Sequence, residues 1–214
     1  MSINKILIGI VGYSPVLDSY PLGPNLMNNL KERDWANINV DVQNMTWSPI
    51  HVTQRLQENK LEFDRVVLVG SKTISTHPGR VESYKWKSKK VDEIKIQERI
   101  FEGVTGVVSL ENTLVIGDYF KIWPKEVFTV EVDLPGEVFG EIVIAENQGK
   151  SKNTDLIEIL KFDPEKVIEE IELQTYLVSS CNFEQEYFPE KNPDTILEPE
   201  IFSKHRFETQ NTLN

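Results

Sequence analysis

The chain has 214 residues and a formal net charge of −11, and 39% of its residues are hydrophobic. This hydrophobic fraction supports a folded core and excludes an intrinsically disordered protein. The acidic balance argues against nucleic acid and anionic membranes as partners, because both attract basic surfaces.

The N-terminal apolar run, residues 6–11, is too short for a signal peptide or a transmembrane helix. Cys181 is the only cysteine, so no internal disulfide can form. A single cysteine is compatible with a reducing compartment. We therefore expect a cytoplasmic protein that binds neither nucleic acid nor membrane.

Apolar, largely β-branched runs bounded by turn residues predict strands at 6–11, 40–42, 65–69, 104–108, 127–132 and 141–144. Their lack of alternation favours strands that are covered on both faces. Helical patterns lie between them at 24–32, 50–60 and 110–120, the first two beginning at or after a proline. The alternation of strands and helices predicts an α/β fold with a mostly parallel sheet between two layers of helices.

Residues 79–100 depart from this rhythm. The run from Arg80 to Lys87 alternates polar and apolar residues, and a second short apolar pattern begins at Val91. The pattern predicts a strand and hairpin, or a protruding arm. Its lysines form either a solvated face or a contact for an acidic partner.

The C-terminal third changes character. Asn153 is predicted to cap a helix that ends near Lys161, and Asp163 with Pro164 starts another. After Cys181 the chain is rich in Glu, Asn and Pro, which predicts an extended arm that packs on the domain or on a partner, or is partly disordered. We therefore divide the chain into an α/β domain (1–150), a helical extension (151–181) and an acidic arm (182–214).

Three segments carry a family resemblance. The first is the strand at 6–11 with Gly12 and the loop to Gly23-Pro24; the second is the strand ending at Gly70-Ser71, followed by Pro78-Gly79; the third begins at Glu111-Asn112 and continues to the strand after Pro124. In order and spacing they resemble the hydrogenase maturation proteases, which trim the C-terminus of the large subunit of nickel–iron hydrogenases. The resemblance covers about the first 150 residues and implies a three-layer α/β/α sandwich with a mixed, mainly parallel sheet.

The resemblance also implies where a site would lie. Members of this family place three groups around nickel held in the substrate: an acid in the first loop, an aspartate after the second strand, and a histidine that precedes an asparagine. The first position falls on Ser19 counted from Gly12, or on Tyr20 counted back from Gly23. The second position is Gly70 and the third is Glu111, so no nickel recognition, metal site or other cofactor is expected here.

Two carboxylates remain near these positions. Asp18 and Glu111 are the candidate catalytic residues, either as an acid–base pair or as weak ligands of a hard cation. The alternative is structural: Asp18 caps a turn or the following helix, and Glu111 is an acid in a first helical turn. Candidate residues lining a cleft around them are Gly12, Tyr13, Asp18, Ser71 and Asn112.

Other reactive residues have simpler interpretations. His77 precedes Pro78 and is predicted to be a turn histidine on the surface, and Cys181 follows an apolar helix end and is predicted to be a buried structural thiol. Ser71 follows a strand but does not lie in a Gly-x-Ser-x-Gly motif.

The sequence therefore leads to two main hypotheses, beside a weaker third in which the protein binds a small ligand in the same crevice. In the first, the protein is a degenerate, non-catalytic member of this protease family, a pseudoenzyme that binds or assembles another protein through the cleft, the 80–100 arm or the acidic tail. In the second, it is an active endopeptidase or other hydrolase with a site rebuilt around Asp18 and Glu111.

Overall fold

The computed structural model describes residues 5–36, 38–58, 63–72, 76–150, 152–184 and 188–196. Its strands are β1 (Lys5–Ile10), β2 (Asn39–Asn44), β3 (Arg65–Ser71), β4 (Val81–Trp86), β5 (Glu126–Val132) and β6 (Glu190–Lys191). Its helices are α1 (Pro24–Glu32), α2 (Pro49–Glu58), α3 (Glu93–Val104), α4 (Leu110–Tyr119), α5 (Val138–Asn147), α6 (Asn153–Leu160), α7 (Pro164–Ser180) and α8 (Pro193–Ile196).

The strands form one mixed sheet in the order β2-β1-β3-β5-β4-β6. The strands β2, β1, β3 and β5 are parallel neighbours, whereas β4 runs antiparallel to β5 and parallel to β6. The chain passes from β1 outward to β2 and then returns to β3 on the other side of β1. The order therefore reverses between β1 and β3, where open α/β sheets form a crevice.

Helices cover both faces of the sheet. One hydrophobic cluster joins α1, α5, α6 and α7 to side chains such as Ile8, Val69 and Phe128. The second cluster joins α2, α3 and α4 to the opposite face, through residues such as Leu7, Leu68 and Val127. The structure is thus the three-layer α/β fold with a mixed, mainly parallel sheet that the pattern and the resemblance predicted.

Most predicted elements are present. The strands expected at 6–11, 40–42, 65–69 and 127–132 are β1, β2, β3 and β5, and the helices expected at 24–32, 50–60 and 110–120 are α1, α2 and α4. Both C-terminal helices also form. The Asp163 carboxylate caps α7 by accepting hydrogen bonds from the backbone N–H groups of Glu165 and Lys166.

Of the alternatives predicted for 79–100, the strand is present as β4, whereas the hairpin and the protruding arm are wrong. β4 lies inside the sheet between β5 and β6, and residues 93–104 form the helix α3. The Asp92 side chain caps this helix by accepting from the Ile94 N–H at 2.9 Å. Ile96, Ile100 and Gly103 follow a helical period toward the core, which outweighs the short alternation at 91–96.

Two predicted strands are also helical or irregular. Residues 104–108 are the end of α3 and a turn, because Gly106 adopts the left-handed conformation at φ 94°. Residues 141–144 lie within α5, which buries Val138, Ile142 and Ala145. An apolar run that short fits a strand or a buried helix equally well, and here the spacing of three to four residues decides.

A buried arginine fastens the C-terminal end of α7 to the sheet. Arg65, at the start of β3, is 0% exposed and donates from Nη1 to the carbonyl oxygens of Val178, Ser179 and Cys181 at 2.7–2.9 Å. Its Nη2 pairs with Glu126 at 2.6 Å. These carbonyls are the ones that a helix end leaves without intrahelical partners.

Among the described residues, no helix has the length and apolar character needed to cross a bilayer. The division of the chain at residues 150 and 181 stays a prediction. Residues 197–214 of the predicted arm lie outside the described residues.

Candidate functional site

The loop that follows β1 lies beside the point between β1 and β3 where the strand order reverses, which is the usual place for a ligand in an open α/β sheet. This loop folds back on itself: the Ser14 N–H donates to the Leu22 carbonyl at 3.1 Å, and the Gly23 N–H donates to the Tyr20 carbonyl at 2.8 Å. Leu17 and Leu22 are buried and anchor the loop to the core. The loop is therefore fixed in place at the expected position of the crevice.

The candidate catalytic residue Asp18 lies on the outer side of this loop. Its side chain is exposed, and among the described residues it has no hydrogen-bond or ion-pair partner. The N-cap of α1 is Gly23, which receives no side-chain cap. The structural alternative in which Asp18 caps α1 is therefore wrong.

The neighbouring positions of the loop contact α5. Ser19 donates from its hydroxyl to Glu146 at 3.4 Å, and the Tyr20 ring packs edge-on against Phe139 with centroids 5.6 Å apart. Burial raises the pKa of the Tyr20 phenol. The two residues that align with the family's first acid thus hold the loop against a helix.

Gly12 and Tyr13 form the turn at the end of β1. Gly12 has φ 80°, a conformation that favours glycine. The Tyr13 carbonyl accepts from the Thr46 hydroxyl at 2.9 Å, which ties the turn to the loop after β2. The Tyr13 side chain is half-buried against the core cluster.

At the end of β3, neighbouring atoms pack closely against Gly70, the residue that aligns with the family's aspartate. A Cβ atom placed on Gly70 would lie 3.3 Å from the Leu110 Cβ and 3.4 Å from the Val11 carbonyl oxygen. The first residue of α4 therefore packs directly over Gly70. This contact also places Glu111, the next residue of α4, at the edge of the sheet where β3 ends with the half-buried Ser71.

Asn112 takes part in a buried hydrogen-bond network. It is 1% exposed; its Oδ1 accepts from Arg99 at 3.3 Å and its Nδ2 donates to Glu102 at 3.2 Å. Arg99 and Glu102 pair with each other at 2.9 Å. Because both partners belong to α3, Asn112 joins α3 to α4 and does not line the crevice as predicted.

Glu111 lies in the first turn of α4, whose N-cap is Ser109. The helix dipole favours an acid there. One of its carboxylate oxygens, Oε2, is buried and has no hydrogen-bond partner among the described residues. Within the same part of the chain, Glu111 makes no hydrogen bond with Asp18, and the acid–base pair stays a prediction.

A charged cluster that the sequence interpretation missed lies on the same face of the sheet as Gly70. Glu131 of β5 is paired in register with Gly70 and is 2% exposed. Its Oε1 accepts from the Thr129 hydroxyl at 2.8 Å, and its Oε2 binds the ammonium of Lys191 at 2.5 Å. The sequence does contain a signal for this cluster, because Glu131 is a charged residue within an apolar strand. A charged residue at a buried position is rarely without a partner, so its presence indicates a pairing cation.

The cluster continues onto β4, where Glu82 pairs in register with Glu131. Glu82 binds Lys72 and Arg80 and accepts from the Tyr84 hydroxyl at 3.0 Å. The hydrogen bond from Lys72 holds the pKa of Glu82 below its usual value. Burial, reinforced by the hydrogen bond to Glu82, raises the pKa of the Tyr84 phenol. Two carboxylates and three cations thus pair with one another on this face of the sheet.

The remaining candidates lie apart from the crevice. His77 is exposed, and its backbone N–H donates to the buried carboxylate of Asp133 at 2.5 Å. Cys181 is half-buried beside Arg65, and burial raises the pKa of its thiol, so the reactive thiolate is disfavoured. Within the described ranges, no group of three or more His, Cys, Asp or Glu residues could hold a metal ion.

No protein-family model matches this sequence, and no curated protein matches it. Among solved structures, the chain is similar to a hydrogenase 2 maturation peptidase from a Thaumarchaeota archaeon, at 17% identity and a TM-score of 0.32. That match covers 69% of this chain and 99% of the other.

The chain is also similar to pyrrolidone carboxyl peptidase from Pyrococcus furiosus. One variant of that enzyme matches at 15% identity and a TM-score of 0.37, over 79% of this chain and 98% of the other. A further structure of it matches at 16% identity and a TM-score of 0.35, over 81% and 100%. With identities and TM-scores this low, neither protein assigns an activity to this chain.

Proposed function

We propose that this protein is a non-catalytic relative of the hydrogenase maturation proteases that binds or assembles another protein. The observation that carries the proposal is the contact between Gly70 and Leu110. The family places a metal-recognising aspartate at this position, whereas here Leu110 occupies the space in front of a residue without a side chain.

The other two family positions support the same conclusion. Ser19 and Tyr20 contact α5, and Glu111 replaces a histidine. A site that recognises a borderline metal such as nickel needs imidazole or thiolate ligands beside carboxylates. The residues present do not fit nickel recognition, so nickel-dependent proteolysis is not part of the proposal.

A titration of the full-length protein with nickel and with zinc tests the non-catalytic half of this proposal. We expect no stoichiometric binding by calorimetry. Glu111→Ala should then behave like wild type, as should the control Glu98→Ala, which alters an exposed acid on α3. Tight binding that Glu111→Ala abolishes and Glu98→Ala preserves would overturn the proposal.

One observation favours the second candidate function, a hydrolase with a rebuilt site. The buried, unpartnered Oε2 of Glu111 at the crevice edge is the kind of group that a substrate or water would satisfy. A screen of full-length protein against peptide and ester substrates tests it. Activity that falls at least about 100-fold in Glu111→Gln would establish this candidate, and an inactive wild-type protein would eliminate it for those substrates.

A further inference from the structure

The chain's own C-terminal segment occupies the outer edge of β4. β6 pairs with this strand over two residues, Lys85 opposite Glu190 and Trp86 opposite Lys191. The backbone N–H of Lys85 donates to the Pro189 carbonyl at 2.9 Å, and that of Lys87 donates to the Lys191 carbonyl at 2.7 Å. The segment 188–196, called the latch here, therefore binds the sheet as an added strand.

One side chain of the latch enters the sheet surface. The Lys191 ammonium reaches the buried carboxylate of Glu131 and lies 4.1 Å from the centroid of the Tyr84 ring. Thr129 donates to the other carboxylate oxygen and so orients Glu131. These three residues, Glu131, Tyr84 and Thr129, form a slot for a cation, which we call the lysine slot.

The chemistry of the slot selects its occupant. Glu131 is 2% exposed, and a buried carboxylate that loses its cation is strongly destabilised. The Tyr84 ring adds a cation–π attraction. A neutral side chain would supply neither interaction, so any segment that replaces the latch must bring a positive charge.

Outside the slot, the latch makes apolar contacts and exposed ion pairs. Phe188 packs edge-on against Phe128 with ring centroids 5.4 Å apart, Pro193 is buried, and Ile196 packs against the second hydrophobic cluster. Lys87 pairs with Glu190 at 2.5 Å and Lys89 pairs with Asp194 at 2.8 Å, and all four side chains are 47–71% exposed. Exposed ion pairs contribute little to stability. The added strand itself has only two residues. Among these contacts Lys191 reaches the buried charge of Glu131, so a segment that replaces the latch must supply a lysine at this point.

We propose that the β4 edge is a docking groove for an extended, lysine-containing segment of a partner protein, and that the latch occupies it in the free protein. Addition of a strand to a sheet edge is an established mode of peptide recognition, with side-chain pockets supplying specificity. The net charge of −11 attracts a cationic segment. This inference rests on the proposed protein-binding role and assigns that role to a surface separate from the crevice.

A labelled synthetic peptide with the sequence of residues 188–196 serves as the probe. Full-length Lys191→Ala should bind it at least about tenfold more tightly than wild type in fluorescence anisotropy, because its own latch no longer fills the slot. The same peptide with alanine in place of lysine should not bind. Adding Glu131→Gln to Lys191→Ala should abolish binding of the original peptide.

The matched control is full-length Lys125→Ala. Lys125 also pairs with a residue of the C-terminal region, Glu184, but both side chains are more than 70% exposed and lie outside the slot. This variant should bind the peptide no better than wild type. Equal binding of the lysine and alanine peptides, or no binding to Lys191→Ala, would overturn the proposal.

If Lys191→Ala does not fold, the peptide is instead titrated into the wild-type protein and followed by NMR. Excess peptide should then shift the amide resonances of Lys85 and Lys87, and the alanine peptide should not; the absence of shifts at millimolar peptide would overturn the proposal. A negative result at this groove leaves the metal titrations of the crevice unaffected, so failure of this inference is distinguishable from failure of the proposed function.

Discussion

At Gly70, the space in front of the backbone decides which residues the position accepts. Leu110 and the Val11 carbonyl lie 3.3–3.4 Å from the point that a Cβ atom would occupy, so a methyl group fits only with small adjustments of its neighbours. The sequence showed only that an expected aspartate is a glycine. The structure adds that Leu110 packs closely over this position.

Gly70→Asp is expected to destabilise the protein by about 2 kcal/mol or more, because its carboxylate enters a packed, largely apolar contact. Gly70→Ala is the matched control and should cost less. Urea unfolding of both variants measures the difference. If the aspartate variant were as stable as the alanine variant, the position would be open to a ligand and the argument from packing would fail.

Asp118 is a second residue whose environment sets a measurable property. It accepts hydrogen bonds from the Trp86 Nε1–H and from the Ser88 hydroxyl, and burial raises the pKa of its carboxyl above the ordinary 3.8. A raised pKa in the folded state means that ionisation opposes folding. This destabilisation by the ionised carboxylate is absent below pH 3.8 and grows as the pH rises through the folded-state pKa of Asp118.

Asp118→Asn keeps an acceptor for Trp86 and cannot ionise. We expect it to be at least as stable as wild type at neutral pH, with the difference shrinking as the pH falls toward 3.8. Unfolding in urea across this pH range measures the difference, and Asp194→Asn, at an exposed ion pair whose acid has a lowered pKa, is the control. A difference that grows on acidification would contradict the assignment.

Among the helices and strands, local start signals agree with where several helices begin, although Asp92 caps the unpredicted α3, and Asn153 is the first residue of α6 and not its cap. Pro24 stands at the first position of α1, Ser109 caps α4 and Asp163 caps α7. These signals act within a few residues and need no tertiary contact. The strand predicted at 141–144 follows Gly140, but the segment is helical because its apolar period matches the core on one side.

Asp163→Ala should destabilise the protein by about 1 kcal/mol, because the backbone N–H groups of Glu165 and Lys166 lose their acceptor. Asp163→Asn should retain most of the stability, since asparagine caps a helix equally well. Thermal unfolding of the two variants provides the measurement. Equal losses in both would show that charge, and not the capping hydrogen bond, is what α7 needs.

Across the whole molecule, the sheet divides into a buried centre and a short edge strand. β1, β3 and β5 are covered by helices on both faces, and almost all of their residues are buried. β6 has two residues; Lys191 binds Glu131, and the nearby Phe188 packs against Phe128. Regions with few buried contacts open at low free energy, whereas core strands open only with the whole fold.

Hydrogen exchange should reflect this division. The backbone amides of β1, β3 and β5 should exchange slowest, and those of Lys85 and Lys87, which bind the latch, should exchange measurably faster. Mass spectrometry or NMR of the native protein gives both rates. Protection of the β4 outer edge equal to that of β3 would show that the latch is part of the cooperative core and cannot be exchanged for a partner segment.

Local patterns in the sequence were enough to predict the α/β class, the strands β1, β2, β3 and β5, the strand β4 as one of two alternatives, and the helices α1, α2, α4, α6 and α7, because burial periods and turn residues act over short distances. Three features became visible only in the folded chain: β5 inserts between β3 and β4, Asn112 bonds α3, and Lys191 fills a slot 60 residues away at Glu131. These contacts join segments that are distant in sequence. A local pattern records that a residue is buried or charged, and the fold alone determines which partner it meets.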